Sequence, residues 1–302
     1  MSAVADKISS SRDWKDLDLQ IMTLSPSAIC ITGDIRMNKV EIGLKFGIFV
    51  HPKRPKVPLD RVVKSVQSAG LQHSQKDPDV AVVVGGDGTF GYYGRILSIP
   101  LLFVGVRESG VVGSRAKLAE IFYDELAGAL QDIEAGRYSV AEKKMLSVRF
   151  KKRTVDVLTD VYLERGVYAG CLRYATTVKT SGQSEFTDYA IGNGVIVSTS
   201  FGAGGYFSYP ERLGLRGSKG FDDSRIGICH IIPTYLVRKG KGAAEVRHTV
   251  PANSTIRIGL LRDANARLYG TTAHSNGVPV KVGDTIALST SKRTARIIKL
   301  KK

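Results

Sequence analysis

Ala81-Val82-Val83-Val84-Gly85-Gly86-Asp87-Gly88-Thr89-Phe90 is the stretch on which the reading of this chain turns. Its four leading apolar residues read as a strand buried on both faces. The run stops at Gly85, and a helix is predicted over 90–98. Three glycines in four positions leave backbone N–H groups uncovered by any Cβ, so phosphate oxygens can approach them closely. Asp87 in their midst supplies a carboxylate able to bind magnesium or to take a hydroxyl proton. The pattern points to phosphate handling, by the mechanics of glycine phosphate loops.

Outward from this loop, strands alternate with helices. Residues 44–50 read as a first strand, stopped by Pro52, which forbids further ladder pairing. Leu59, Val62, Val63 and Val66 fall at helical spacing over 59–69. Strands follow at 80–84 and 101–106. Between 116 and 135 the stripe Leu118, Ile121, Phe122, Leu126, Leu130 and Ile133 predicts one amphipathic helix, closed by Gly136. This alternation predicts a parallel, doubly wound sheet, whose ligands sit beyond the carboxyl ends of the strands. Gly85–Thr89 falls at such an end.

After residue 139 the texture changes. Short β-prone runs follow at 146–150, 155–163, 187–191, 195–199, 226–232, 255–261, 285–289 and 294–300, with turn residues between them and no long helix. The expected fold class is an α/β nucleotide-binding domain with a parallel sheet, followed by an all-β sandwich domain. The expected division is an N-terminal extension at 1–43, the α/β domain at 44–138 and the sandwich at 139–302, whose last strands can return to the first domain. Met37 offers an alternative start. Segments 214–223 and 239–244 read as mobile surface loops. The tail 291–302, with six bases and no acids, reads as a solvated edge strand guarded against aggregation.

Composition bounds the function. The chain has 302 residues, 43% hydrophobic and 24% charged, which suits folded domains rather than disorder. No apolar run approaches the ~20 residues that span a bilayer, and the N-terminus lacks a signal-peptide core. Cys30, Cys171 and Cys229 are too scattered for a disulfide framework or a metal site, which favours a reducing cytoplasm. The five histidines form no metal-ligand spacing. Net charge is +16, with five bases against six acids in the first 43 residues, so the excess belongs to the remainder. Such a surface favours anionic partners such as nucleotides or polyphosphate. No zinc-finger spacing or aromatic–basic RNA motif accompanies it, which argues against nucleic acid.

A second segment carries a resemblance. Gly85-Gly86-Asp87-Gly88-Thr89 after a valine strand resembles the signature shared by NAD kinases and the diacylglycerol and sphingosine kinases. Residues 192–206, Gly-Asn-Gly-Val-Ile-Val-Ser-Thr-Ser-Phe-Gly-Ala-Gly-Gly-Tyr, resemble the NAD-kinase pattern D-G-x-I-V-x-T-P-T-G-S-T-A-Y. Thr199, Gly202 and Tyr206 stand at its threonine, glycine and tyrosine. The resemblance covers roughly 44–300 and implies phosphoryl transfer from ATP or polyphosphate to the adenosine 2′-hydroxyl of NAD, with Mg²⁺. It implies Asp87 as the general base or metal-organising acid, with Gly85, Gly86, Gly88 and Thr89 holding phosphate. Thr199 and Tyr206 would shape the dinucleotide pocket, and the assembly would be a homodimer or homotetramer.

The chain also departs from that family. Thr159-Asp160 replaces Asn-Glu or Asn-Asp, keeping a carboxylate for ribose hydroxyls and losing an amide. Asn193 replaces an aspartate, and Asn276-Gly277 replaces a late Asp-Gly. Arg107-Glu108-Ser109 replaces Asn-x-Gly and puts a cation near the phosphates. These changes leave three alternatives open: a kinase of the same loop acting on a lipid or another hydroxyl compound, an inactive dinucleotide-binding homologue, and a non-enzymatic nucleic-acid module. Several residues have plainer readings too. Asp160 can cap a turn, Arg107 can be an ordinary surface arginine, His274 a surface histidine beside a hairpin, and Tyr206 and Tyr209 core packing.

Overall fold

A computed structural model describes residues 43–51, 53, 55–107, 116–167, 170–214, 220–272 and 276–301. The expected extension, Cys30, Met37, Glu108, Ser109 and His274 lie outside these residues, as does the middle of the 214–223 loop. The first part of the chain alternates strand and helix: β1 (Lys45–Val50), α1 (Leu59–Ser68), β2 (Gln72–His73), β3 (Val80–Gly85), α2 (Asp87–Ile96), β4 (Leu101–Gly105), β5 (Ile121–Phe122) and α3 (Leu126–Glu134). All pairings among these strands are parallel. Every residue of β3 is buried. Val80, Val82 and Val84 face a core shared with α1 and α3, while Ala81 and Val83 face one shared with Phe90 of α2. The valine run is a strand covered on both sides, as its composition dictates.

From residue 138 onward strands follow one another: β6 (Tyr138–Phe150), β7 (Arg153–Val157), β8 (Asp160–Arg165), β9 (Leu172–Thr180), β10 (Phe186–Gly192) and β11 (Gly194–Ser198). A short helix α4 (Tyr209–Arg212) intervenes. Then come β12 (Arg225–Ile231), β13 (Tyr235–Lys239), β14 (Arg247–Pro251), β15 (Ser254–Leu260), β16 (Ala266–Tyr269), β17 (Val278–Val280) and β18 (Thr285–Leu300). Among the described residues these strands build two sheets. One runs β14-β12-β11-β8-β16-β17 and is antiparallel throughout. The other runs β13-β10-β9-β15-β18 and continues through β4 into the parallel strands. The inward faces of the two sheets share one core, which includes Leu163, Tyr174, Val197, Ile228 and Ile256. The α/β part followed by an antiparallel sandwich is the expected fold class.

Four expectations about elements are corrected. The single helix over 116–135 is instead a strand, a 3₁₀ turn and a shorter helix. Ile121 pairs with Val104 in parallel register, and the Glu120 N–H donates to the Phe103 carbonyl at 2.8 Å. Sheet hydrogen bonds at the edge of β4 thus override helical spacing, and only Leu126, Leu130 and Ile133 form the helix stripe. Gly136, with φ +72°, ends that helix as expected. The run 155–163 is broken at Leu158-Thr159, where β7 gives way to β8 in the other sheet. The runs 285–289 and 294–300 are one strand that carries an irregularity between Thr290 and Thr294. Finally, the basic tail is no edge strand. β18 lies between β15 and β4, pairs along its length with β6, and buries Ala295, Ile297 and Ile298. Its bases find partners on either side: Lys299 pairs with Glu120, and Arg293 donates to the carbonyls of Arg95 and Leu97.

Candidate active site

β3 ends at Gly85 and α2 begins at Asp87, so the glycine loop is itself the first turn of the helix. The helix was expected from residue 90 and starts three residues earlier. Gly86 is extended at the N-cap, and its carbonyl accepts from Thr89 N at 2.9 Å and Phe90 N at 3.1 Å. The N–H groups before Thr89 precede the intrahelical ladder, and the positive end of the helix dipole lies with them. Gly88 is exposed, and a Cβ there would meet nothing within 4 Å. Gly85 has no such room, because a Cβ would stand 2.7 Å from Thr89 Oγ1. The loop presents bare backbone at its tip and a tight glycine at its base.

Asp87 is half-buried, and its Oδ1 accepts from the Leu118 N–H at 3.0 Å. A second carboxylate lies close enough to feel its charge. Asp160 opens β8 and is drawn toward α2 because the preceding turn, Leu158-Thr159, packs on a glycine face of that helix. A Cβ at Gly91 would lie 3.0 Å from Thr159 Oγ1, and one at Gly94 would overlap Leu158 Cδ2. Burial first and the charge of Asp87 second raise the Asp160 pKa to about 6, against hydrogen bonds from Thr159 and the Tyr206 backbone. The two acids therefore interact across the cleft between helix and sandwich.

Residues 199–206 complete the wall. Thr199 is buried, with Oγ1 2.6 Å from the Leu158 carbonyl and accepting from Gly202 N at 3.0 Å. A Cβ on Gly202 would collide with the Thr159 carbonyl. Thr199 and Gly202 thus hold the Thr159-Asp160 turn in place from behind. Gly205 lies over the carboxylate, where a Cβ would stand 3.7 Å from Asp160 Oδ2. Tyr206 is exposed, lies edge-on to Tyr162 at 5.3 Å and donates to Glu164 at 3.3 Å. Tyr162 in turn stacks on Tyr269 at 5.2 Å. Asp160, Tyr162 and Glu164 alternate along β8, so they share one face. The aromatic wall of Tyr162 and Tyr269 carried no signal in the sequence, because its members come from separate strands.

One expected site residue stands apart, and another leaves the sheet beside the loop. Asn193 lies beyond the far end of β11, where its carbonyl accepts from Arg165 N. Register pairs Ser198 with Asp160 and Gly194 with Glu164, which leaves Asn193 roughly 16 Å from Asp160 at ~3.3 Å per residue. Arg107 follows β4, whose Gly105 pairs with Gly85, so it leaves the sheet at the same end as the loop. Its guanidinium stacks on Phe122 at 4.1 Å and faces Asp124 and Glu125 at 3.5 and 3.7 Å.

Comparison with known proteins bears on this cleft. No family model matches the chain. It is 29% identical over 241 residues to the NAD kinase of Magnetococcus marinus, covering 76% of this chain and 71% of that protein. In fold it is similar to yeast NADH kinase complexed with NADH, with a TM-score of 0.61 and 16% identity over 87% of this chain and 84% of that one. It is also similar to an NAD kinase from Archaeoglobus fulgidus in complex with ATP, with a TM-score of 0.57 and 14% identity over 85% and 93% of the two chains.

Proposed function

The chain is a divergent member of the NAD kinase family, and from that premise we propose that it transfers a phosphoryl group from ATP or polyphosphate to the adenosine 2′-hydroxyl of NAD. The observation that carries this reading is the pairing of Asp87, in the first turn of α2, with Asp160 at the start of β8. The 2′-oxygen attacks the terminal phosphorus, the bond from phosphorus to the donor's bridging oxygen breaks, and the hydroxyl proton passes to Asp87. The attack is mainly a matter of positioning and charge neutralisation. Gly86, Gly88 and Thr89, with Gly85 as the tight base of the turn, hold donor phosphates at the helix N-terminus. Asp160 and Thr159 orient the ribose hydroxyls.

Asp87 and Asp160, whose charges interact, offer carboxylate oxygens of the kind a hard cation prefers, so these residues fit Mg²⁺. The ion would neutralise phosphate charge there. Tyr206 lines the dinucleotide pocket, supported by Thr199 and Gly202 from behind, and Asn193 belongs to its distant end. Arg107 clamps phosphate after leaving its acidic neighbours. In the same proposal, residues 44–138 form the nucleotide-binding domain, 139–302 the sandwich and 1–43 an extension. The protein works in the cytoplasm as a homodimer or homotetramer, a reading that rests on family membership and on the free thiols Cys171 and Cys229. Incubating the full chain with NAD, ATP and Mg²⁺ and reading NADP tests it. NADP is expected; none with ATP or polyphosphate overturns the reading.

A further inference from the structure

At the open edge of the sandwich, the apolar inward series of neighbouring strands gives way to polar residues at one level. On β12 the series runs Ile226, Ile228, His230; on β14 Val250 is followed inward by His248; on β10 Ala190 is followed by Asp188. Asp188 and His230 are fully buried, and the His248 side chain is 10% exposed. Arg238 of β13 pairs with Asp188 through Nε to Oδ1 at 2.6 Å and Nη2 to Oδ2 at 2.8 Å.

Hydrogen bonds fix which nitrogens carry lone pairs when the two rings are neutral. Tyr174 Oη donates to the Gly194 carbonyl at 2.5 Å, so it accepts from His230 Nδ1 at 2.9 Å. In the neutral ring His230 Nε2 is then an acceptor. It has no hydrogen-bond partner among the described residues and lies 3.6 Å from Asp188 Oδ2. His248 Nε2 accepts from Arg238 Nη2 at 3.3 Å and lies 3.8 Å from the same oxygen. Three acceptors thus converge, all within 4.8 Å of one another. Acceptors facing one another in a low-dielectric interior repel unless positive charge lies between them. Arg238 Nη2 supplies it for two of the three and leaves His230 Nε2 unsatisfied.

We propose that Asp188, His230 and His248 form a binding site for a divalent transition-metal ion such as Zn²⁺. Nitrogen and oxygen ligands on tetrahedral zinc bond at about 2.0–2.2 Å, which sets them about 3.3–3.5 Å apart. The separations to Asp188 Oδ2 need contract by only a few tenths of an ångström. The supporting shell is already in place: Tyr174 fixes His230, and Arg238 Nε holds Asp188 Oδ1 while Nη2 yields to the ion. His248 and Arg238 line a cavity of about 850 Å³ with Gln183, Phe186 and Glu245, which gives entry and room for a solvent ligand. The site shares no residue with the glycine-loop cleft and does not depend on the transfer reaction.

The full chain, purified without a metal-affinity step and stripped with a chelator, is titrated with Zn²⁺ by calorimetry and with Co²⁺ by visible absorption. The expected result is one ion per chain, a four-coordinate Co²⁺ spectrum and a rise in Tm with Zn²⁺. His248→Ala, on the cavity wall, weakens binding at least tenfold and removes the Tm rise. His248→Gln replaces it if the alanine variant does not fold. A wild-type chain that takes up no stoichiometric ion, or a folded variant that binds as tightly as wild type, overturns the proposal.

Discussion

Gly94 of α2 lies directly beneath Leu158, so that a Cβ at this position would overlap Leu158 Cδ2. One turn earlier, Gly91 leaves the same kind of room for Thr159. These two notches let a sandwich turn approach the helix that carries Asp87, and so set where Asp160 stands. Leu158 is fully buried, so it has nowhere to go. Gly94→Ala is expected to lower stability by about 1–3 kcal/mol, as overpacking does, and to reduce NADP formation more than tenfold through displacement of Asp160. Urea denaturation and initial rates check the two effects together. A variant with lowered stability and full activity would break the link between notch and site.

Asp87→Asn keeps the shape and the acceptor oxygen facing Leu118 N but removes the negative charge. It is expected to fold like wild type, with an unchanged Tm to within a few degrees, and to lose at least a hundredfold in rate, the scale of a general base. Undiminished turnover would rule out the proton-accepting role.

Asp160 makes stability depend on pH. An unfolded aspartate titrates near 3.9, whereas the folded side chain has its pKa raised to about 6, first by burial and then by Asp87. The folded pKa is the higher, so the favourable contribution is complete below about pH 4 and is lost as pH rises through 6. At pH 8 the ionised side chain costs about 1–3 kcal/mol. Asp160→Asn is therefore expected to be more stable than wild type at pH 8 and equal to it near pH 4. Denaturation curves at the two pH values decide this, and a gap that does not change with pH would refute it.

Arg107 separates binding from structure. Its ion pairs are solvent-exposed and over 3.4 Å long, so Arg107→Ala is expected to change stability by less than about 0.5 kcal/mol. If the guanidinium clamps phosphate, the variant raises the KM for ATP severalfold and leaves the Tm unchanged. An unaltered KM assigns Arg107 to the surface.

Much of this arrangement could be read from the chain because the signals were local. The buried valine strand and the glycine turn are consecutive residues, and the strand's period of burial is fixed by composition alone. The stripe at 118–133 misled because helical spacing cannot register that Ile121 finds Val104 on a sheet edge. The tail misled because its charges hide the buried series Ala295, Ile297 and Ile298. The closeness of Asp87 and Asp160 depends on Gly91 and Gly94 meeting a turn some 65 residues away in sequence, and no pattern along the chain records that. The same holds for Asp188, His230 and His248, which approach only because three strands from two sheets end at one level.

β18 has a consequence for synthesis. Ile297 is the residue that pairs with Leu101 of β4, so the Leu101 end of that strand's outer edge stays open until β18 has been made, whereas β5 covers the Val104–Gly105 end early. At about 5–20 residues per second that interval is roughly 10–40 s, during which the start of an apolar parallel strand lacks its neighbour. The growing chain therefore carries an adhesive strand end through that interval, and ribosome-bound chains truncated before Thr285 are expected to recruit chaperones that the released protein does not.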